Sequence, residues 1–118
     1  NSLYYKRFYQ TLINIKMGKY RFFKKGDKRI FNFYRAQCLK DSAMAESISN
    51  QFKKGKSFVF HLNGDFHSRY FLGTVEILKK LNPRLKVLVI APLMKNDLKV
   101  YDKKNKEYLY AADYFLEN

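Results

Sequence analysis

The chain changes its hydrophobic period near Gly55. Before that point apolar positions recur every three or four residues; after it, short apolar runs alternate with one more helical stretch. Leu3, Phe8, Leu12, Ile13, Ile15 and Met17 stand at loosely helical spacing, with Lys6, Arg7 and Gln10 between them. This spacing predicts a short amphipathic helix over Leu3–Met17. Phe33, Ala36, Leu39, Ala43, Met44, Ile48 and Phe52 follow steps of three and four, and Arg35, Lys40, Asp41, Glu46 and Asn50 fill the other face. A helix over Phe31–Phe52 is expected. Asn32 can cap its start, and Gly55 ends it after Lys53 and Lys54, cations suited to the negative end of the dipole.

Beyond Gly55 the period shortens. Ser57–Leu62 is a β-rich apolar run closed by Asn63-Gly64. Tyr70–Leu81 reads as a helix, with Phe71, Leu72, Val75, Ile77, Leu78 and Leu81 apolar, stopped by Asn82-Pro83. Lys86–Ala91 is a second apolar run, ended by Pro92, and suggests a strand buried on both faces. Strand, helix and strand make a βαβ unit, with parallel strands and a right-handed crossover. Ala111–Leu116 could add an edge strand, and Lys95–Tyr110 reads as a charged loop or hairpin. The expected fold is therefore α/β. A helical subdomain (1–54) precedes a parallel-sheet βαβ core (55–118) that is part of a larger three-layer sheet. Two or three parallel strands cannot cover themselves, so further strands are expected from a partner chain or from an N-terminal half not contained in this chain. The second is favoured.

Composition narrows the function classes. At 118 residues, 47% apolar and 18% aromatic, a disordered chain is excluded. One cysteine cannot make an internal disulfide, and one Cys with two His does not supply a four-ligand structural zinc cage. No apolar run approaches the roughly 20 residues that span a bilayer, and Asn1–Gln10 has no signal-peptide h-region. The formal charge of +14 favours anionic partners: nucleic acid, anionic lipid, or a small molecule with carboxylates or phosphates. A merely solvated basic surface is the plain alternative.

The segment His61-Leu-Asn-Gly-Asp-Phe-His67-Ser-Arg-Tyr70 holds most of the candidate chemistry. It follows the first expected strand, where ligands of open α/β sheets bind. Gly64 allows a tight turn and a close approach of backbone to ligand. Asp65, His67, Ser68, Arg69 and Tyr70 then cluster where the next helix begins. His67 could be a metal ligand, a general base or a donor to an anion, or simply bond within the turn. His61 reads as a satisfied core histidine. Tyr70 is either a packed residue or a phenolate ligand. Cys38 reads as core, and Asp41 and Glu46 do not converge as a carboxylate pair. No Gly-rich phosphate loop and no Gly-x-Ser-x-Gly elbow occur. The aromatic, basic stretches Tyr4–Tyr9 and Tyr20–Lys25 could stack on bases, wall a flat dianionic ligand, or pack a helical subdomain with snorkelling lysines.

Several short motifs occur in one order that resembles a known family. Ala36-Gln37, Asp41 and Met44-Ala45 lie on one helix; Asn63-Gly64-Asp-Phe-His67 is followed by Gly73; then come Asn82-Pro83, Lys86–Ile90 and Ala112-Asp113-Tyr114. Over roughly residues 33–116 this resembles the ChaN-type haem-binding lipoproteins of the haem-binding uptake, or Tiki, superfamily. The resemblance implies a bacterial, iron-regulated envelope lipoprotein that is lipid-anchored on the periplasmic side and binds haem between two subunits. A tyrosine of one subunit ligates each iron, while a histidine and a lysine of the other contact the propionates. It implies that His67 is the histidine of a Gly-x-x-His motif and contacts a propionate. Gly64 and Arg69 then belong to the haem site, and Tyr70 or Tyr34 is the iron ligand. The superfamily pairs two Gly-x-x-His motifs, of which this chain carries the second, and some relatives are hydrolases. Haem binding without catalysis is thus the leading expectation, with haem and a homodimer mate as partners and no nucleic acid. A metal- or His-dependent hydrolase and a basic nucleic-acid-binding module are the alternatives.

Overall fold

The structure, a computed structural model, describes residues 2–14, 22–93 and 109–117. The expected end of the first helix at Met17, part of the Tyr20–Lys25 stretch and most of Lys95–Tyr110 lie outside those residues.

Three helices form where the spacing asks for them: α1 (Ser2–Asn14), α2 (Arg29–Lys53) and α3 (Thr74–Leu81). The start of α2 lies ahead of Asn32, which is exposed in its first turn. Asp27 takes the capping role instead, its Oδ1 accepting from the Arg29 backbone N–H at 2.9 Å. At the other end Gly55 adopts φ +83°. The Gly55 N–H donates to Phe52 O and the Lys56 N–H to Gln51 O, at 2.9 and 3.1 Å. These two bonds make a Schellman stop that glycine enters without Cβ strain.

The buried face of α2 is rotated from the one that apolar spacing predicts. Leu39 is 73% exposed and Phe33 40%, and Ala36 and Ala43 are exposed too. The inward stripe is Ile30, Asp41, Ala45, Ile48 and Ser49, with Tyr34, Gln37 and Phe52 half-buried. Helical geometry explains the set, because residues at steps of three and four share one side. The apolar count failed because this stripe carries polar groups at its middle. Above it, Tyr4, Phe8 and Leu12 of α1 face inward. Phe8, Leu12, Phe23 and Ile30 close one core cluster, against which Tyr34 and Phe66 pack.

The fold is mixed α/β, with a small sheet of two parallel strands, β1 (Ile90–Leu93) and β2 (Tyr114–Glu117). The register runs from Ile90 opposite Tyr114 to Leu93 opposite Glu117. Asp113 sets it: its N–H donates to Val89 O at 2.9 Å, and its Oδ2 accepts from the Val89 N–H at 2.7 Å. This pairing replaces the expected one. Ser57–Leu62 forms no strand among the described residues, and pairing of Lys86–Ala91 begins only at Ile90. Pro92 sits within β1, where an edge strand tolerates its missing N–H. The helix expected from Tyr70 begins at Thr74, preceded by 3₁₀ turns at Asp65–His67 and Arg69–Phe71.

One face of the sheet is covered. Val75 of α3 packs with Val89, Ala91 and Ala112, and Ala45, Ile48 and Leu78 join α2 to α3, with Val59 and Val87 against them. The opposite side shows Leu88, Ile90, Tyr114 and Leu116 to solvent, and Phe58, Phe60 and Leu62 are 72–81% exposed. His61, expected in a core, is exposed as well; in this segment Val59 is the residue packed against a core cluster. Among the described residues no helix is long and apolar enough to cross a membrane.

The rotated face is checked by a pair of truncations. Ile30→Ala, at a position with no exposed surface, should cost roughly 2–5 kcal/mol in denaturant unfolding. Leu39→Ala should stay within about 0.5 kcal/mol; the reverse order would refute the packing.

Candidate functional site

The polar centre of the molecule is Asp41, which has no exposed surface. A buried carboxylate is expensive unless every lone pair is used. Here donors from three elements converge on it. Tyr4 of α1 donates its phenol proton to Oδ2 at 2.5 Å. Thr74, the first residue of α3, donates its hydroxyl to Oδ1 at 3.0 Å. His67 in the turn before α3 places Nδ1 2.7 Å from the same oxygen.

Gln37 Nε2 also lies 3.0 Å from His67 Nδ1, but one ring nitrogen cannot donate and accept at once. The buried carboxylate decides: a bond to a charged acceptor is the stronger one. Nδ1 therefore carries the proton and donates to Asp41, while the Gln37 amide bonds the Tyr4 phenol oxygen. This leaves Nε2 as the edge of the imidazole on which ligand chemistry can occur. The His67 side chain keeps 18% of its surface, so the ring is not sealed in the interior.

Two glycines shape this arrangement for different reasons. Gly73 has φ +57° and ψ −120°, a region for glycine alone. A Cβ there would stand 2.7 Å from His67 O and 3.0 Å from both Asp41 Oδ2 and the Tyr4 hydroxyl. Gly64, the first residue of the Gly-x-x-His motif, has an ordinary φ of −61°. The turn does not need its conformational freedom. Its use is space: a Cβ would touch His67 Cδ2 at 3.6 Å, and any longer side chain would crowd the Nε2 edge.

The turn continues into strain. Tyr70 and Phe71 both take positive φ, 61° and 57°, costing about 1–3 kcal/mol each. The Tyr70 N–H is held by Ala111 O at 2.7 Å. Arg7 of α1 stacks its guanidinium 3.6 Å from the Tyr70 ring centroid, and the Arg69 guanidinium carbon lies 6.0 Å from it. Arg69 Nη1 pairs with Asp65 Oδ2 at 3.1 Å.

Of the residues singled out in the sequence, Gly64, His67, Arg69 and Tyr70 share this one turn. Tyr34 stands a layer away, edge-on to Tyr4 at 5.5 Å between centroids, and borders a groove of about 630 Å³ on the outer side of α2 with Phe31, Arg35, Cys38 and Leu39. A second hollow of about 520 Å³, lined by Phe71, Val75 and Lys79, lies beside α3; His67 borders neither. Burial first, and then the bond to Asp41, pushes the Tyr4 phenol above its ordinary value. Burial, followed by Cys38, does the same to Tyr34. Both rings thus favour the protonated form. Among the described residues no three His, Cys, Asp or Glu gather as a metal cluster.

A family model described as haem-binding uptake, Tiki superfamily, ChaN matches residues 2–78. The chain belongs to this family. The matched span begins at α1, whose Tyr4 reaches Asp41, and so extends further toward the N-terminus than the motifs read from sequence. It closes within α3, after Gly64, His67 and Gly73. No curated protein and no solved structure matches the chain.

Sequence reasoning missed Asp41, Tyr4 and Thr74. The available signal was the Asp in the Ala-Gln…Asp…Met-Ala helix, at the steps shared by Ile30, Tyr34, Ala45 and Ile48. Two outcomes follow. Gly73→Ala should cost about 2–4 kcal/mol in chemical unfolding, from strain and from displacement of the Asp41 bonds; a neutral result would contradict the contact. The raised Tyr4 phenol means the folded chain keeps a proton that the unfolded chain releases from about pH 10 upward. Stability linked to it is complete below about pH 10 and declines above. Tyr4→Phe should lose roughly 1–2 kcal/mol at pH 8 yet flatten the alkaline decline, as read by melting temperature against pH.

Proposed function

We propose that the chain binds haem for uptake or transfer, with the Gly64–Tyr70 turn as the protein's contact with it. The observation that carries the reading is the locked imidazole: Asp41 holds Nδ1 of the Gly-x-x-His histidine, which leaves Nε2 as the ring nitrogen for a ligand. Family membership supports it. Haem is a flat dianion, and the turn offers matching groups: His67, Arg69, and a tyrosine ring flanked by two guanidinium groups. When bound, haem supplies a ferric iron that accepts a hard anionic oxygen donor. Tyr70 is the proposed ligand to that iron. Tyr34 is the weaker choice, since burial holds its phenol protonated. His67 Nε2 is assigned to a propionate carboxylate, and Gly64 keeps that edge uncovered.

This reading includes a haem-linked homodimer. Further strands, from an N-terminal half or from a partner, would pair at the edges of β1 and β2, and the outer helices of the resulting three-layer fold would cover their bare face. A place at the cell envelope follows from a role in haem uptake. A second reading rests on the same pair. A buried carboxylate on Nδ1 with Nε2 left for substrate is also the arrangement of a histidine general base, which would serve a hydrolase using water as nucleophile.

Haemin titration distinguishes them. The intact protein should give a stoichiometric Soret change of tyrosinate type and a mass doubling in sedimentation. Tyr70→Phe should abolish the tyrosinate signature. His67→Ala should keep it but weaken binding about tenfold, the scale of one lost charge-assisted bond. An unchanged Soret spectrum at one equivalent of haemin would end the haem reading, and turnover lost in His67→Ala would then favour the hydrolase.

A further inference from the structure

Arg69 uses one end of its guanidinium and leaves the other unspent. Nη1 pairs with Asp65 at 3.1 Å. Nε and Nη2 are closed to solvent and have no hydrogen-bond partner among the described residues. These two nitrogens form one edge of the planar group, because Nη2 is the one on the same side as the Nε–H. That edge presents two parallel N–H groups and matches the two oxygens of a carboxylate. Buried donors normally find acceptors, so a vacant fork of this geometry is a specific exception. Its surroundings reinforce the sign. Arg7 brings a second guanidinium onto the neighbouring Tyr70 ring at 3.6 Å, and Asp65, the acid paired with Arg69, meets the opposite end of the group.

We infer that the Nε/Nη2 edge of Arg69 is a bidentate carboxylate site, distinct from the His67 Nε2 contact. The edge lies beneath a surface turn, since neither 3₁₀ segment contains a buried residue and the Arg69 side chain keeps 15% of its exposure. Entry of a carboxylate to this edge requires the Arg69 side chain to turn outward, and that movement is part of the proposal. If the haem reading holds, on which this assignment rests for its natural ligand, the carboxylate is the second propionate. His67 and Arg69 then each take one acid group, from positions two apart in the turn, and Tyr70 follows directly.

The test compares haemin with its dimethyl ester on the full chain and on Arg69→Gln and Arg69→Lys. Esterification removes both acids. In the wild type it should weaken binding a hundredfold or more, about tenfold for each lost pairing. In Arg69→Gln the ester penalty should shrink by about tenfold, and Arg69→Lys, which keeps charge but not the fork, should recover only part of it. A purely structural role through Asp65 would lower both affinities and leave their ratio unchanged, which would overturn the assignment. Acetate provides a readout independent of haem. It should raise the melting temperature of the wild type and not of Arg69→Gln. Acetate stabilisation without haemin binding would retain the fork and reject the haem reading. Equal acetate response in wild type and Arg69→Gln, together with an unchanged ester ratio, would reject the fork.

Discussion

One carboxylate without exposed surface holds the helical layer together. Asp41 lies midway along α2, and its partners come from α1, from the turn after residue 64 and from the first turn of α3. Each donor is on a different piece of chain, so the acid is satisfied only when all three have docked. Removal of one partner leaves a buried charge short of a bond, at a cost of about 1–3 kcal/mol. Removal of the acid strands three donors together. The fold and the candidate site are therefore one interaction seen from two sides: the same bonds that seat α1 on α2 and α3 also fix the tautomer and angle of His67.

That dual use explains which parts were readable from sequence. The existence of α1 and α2, the stop at Gly55 and the approximate place of α3 follow from periodicity and end signals, which are local. The orientation of α2 does not. A search for apolar stripes picks Phe33, Leu39 and Ala43, yet the stripe that faces inward carries Gln37 and Asp41 at its centre. Only knowledge of partners up to 37 residues away turns that aspartate from a surface residue into a core one. His67 was legible as a Gly-x-x-His histidine through family likeness. Its dependence on Asp41 was not, because the two are brought together by tertiary docking alone.

The turn from Ser68 to Gly73 shows the same limit at shorter range. Its residues spell an amphipathic helix with Tyr70 and Phe71 on board, and intrinsic preference favours that outcome. Two consecutive residues at positive φ instead delay the helix to Thr74. The delay puts Thr74, rather than Tyr70, at the helix start, where its hydroxyl reaches Asp41. It also frees Tyr70 to lie under Arg7. Tertiary bonds to Asp41 and to Ala111 thus outweigh about 2–6 kcal/mol of backbone strain. Strain of that size concentrated beside a titratable pair is characteristic of sites that serve a ligand.

The sheet bears on this site lightly. Its direct backbone link to the turn is the bond from the Tyr70 N–H to Ala111 O; otherwise it meets α3 through Val75 and its neighbours. His67 is positioned by α1, α2 and α3. Parallel strands are ordinarily covered on both faces, and the side bearing Leu88, Ile90, Tyr114 and Leu116 is not. Covering that side would bury apolar surface without touching Asp41, Tyr4 or Thr74. Its effect on the turn would pass through Ala111, and so would reach Tyr70 before His67. The imidazole is held by the helical layer whatever lies across the sheet, whereas the tyrosine beside it is tied through Ala111 to the segment that leads into β2.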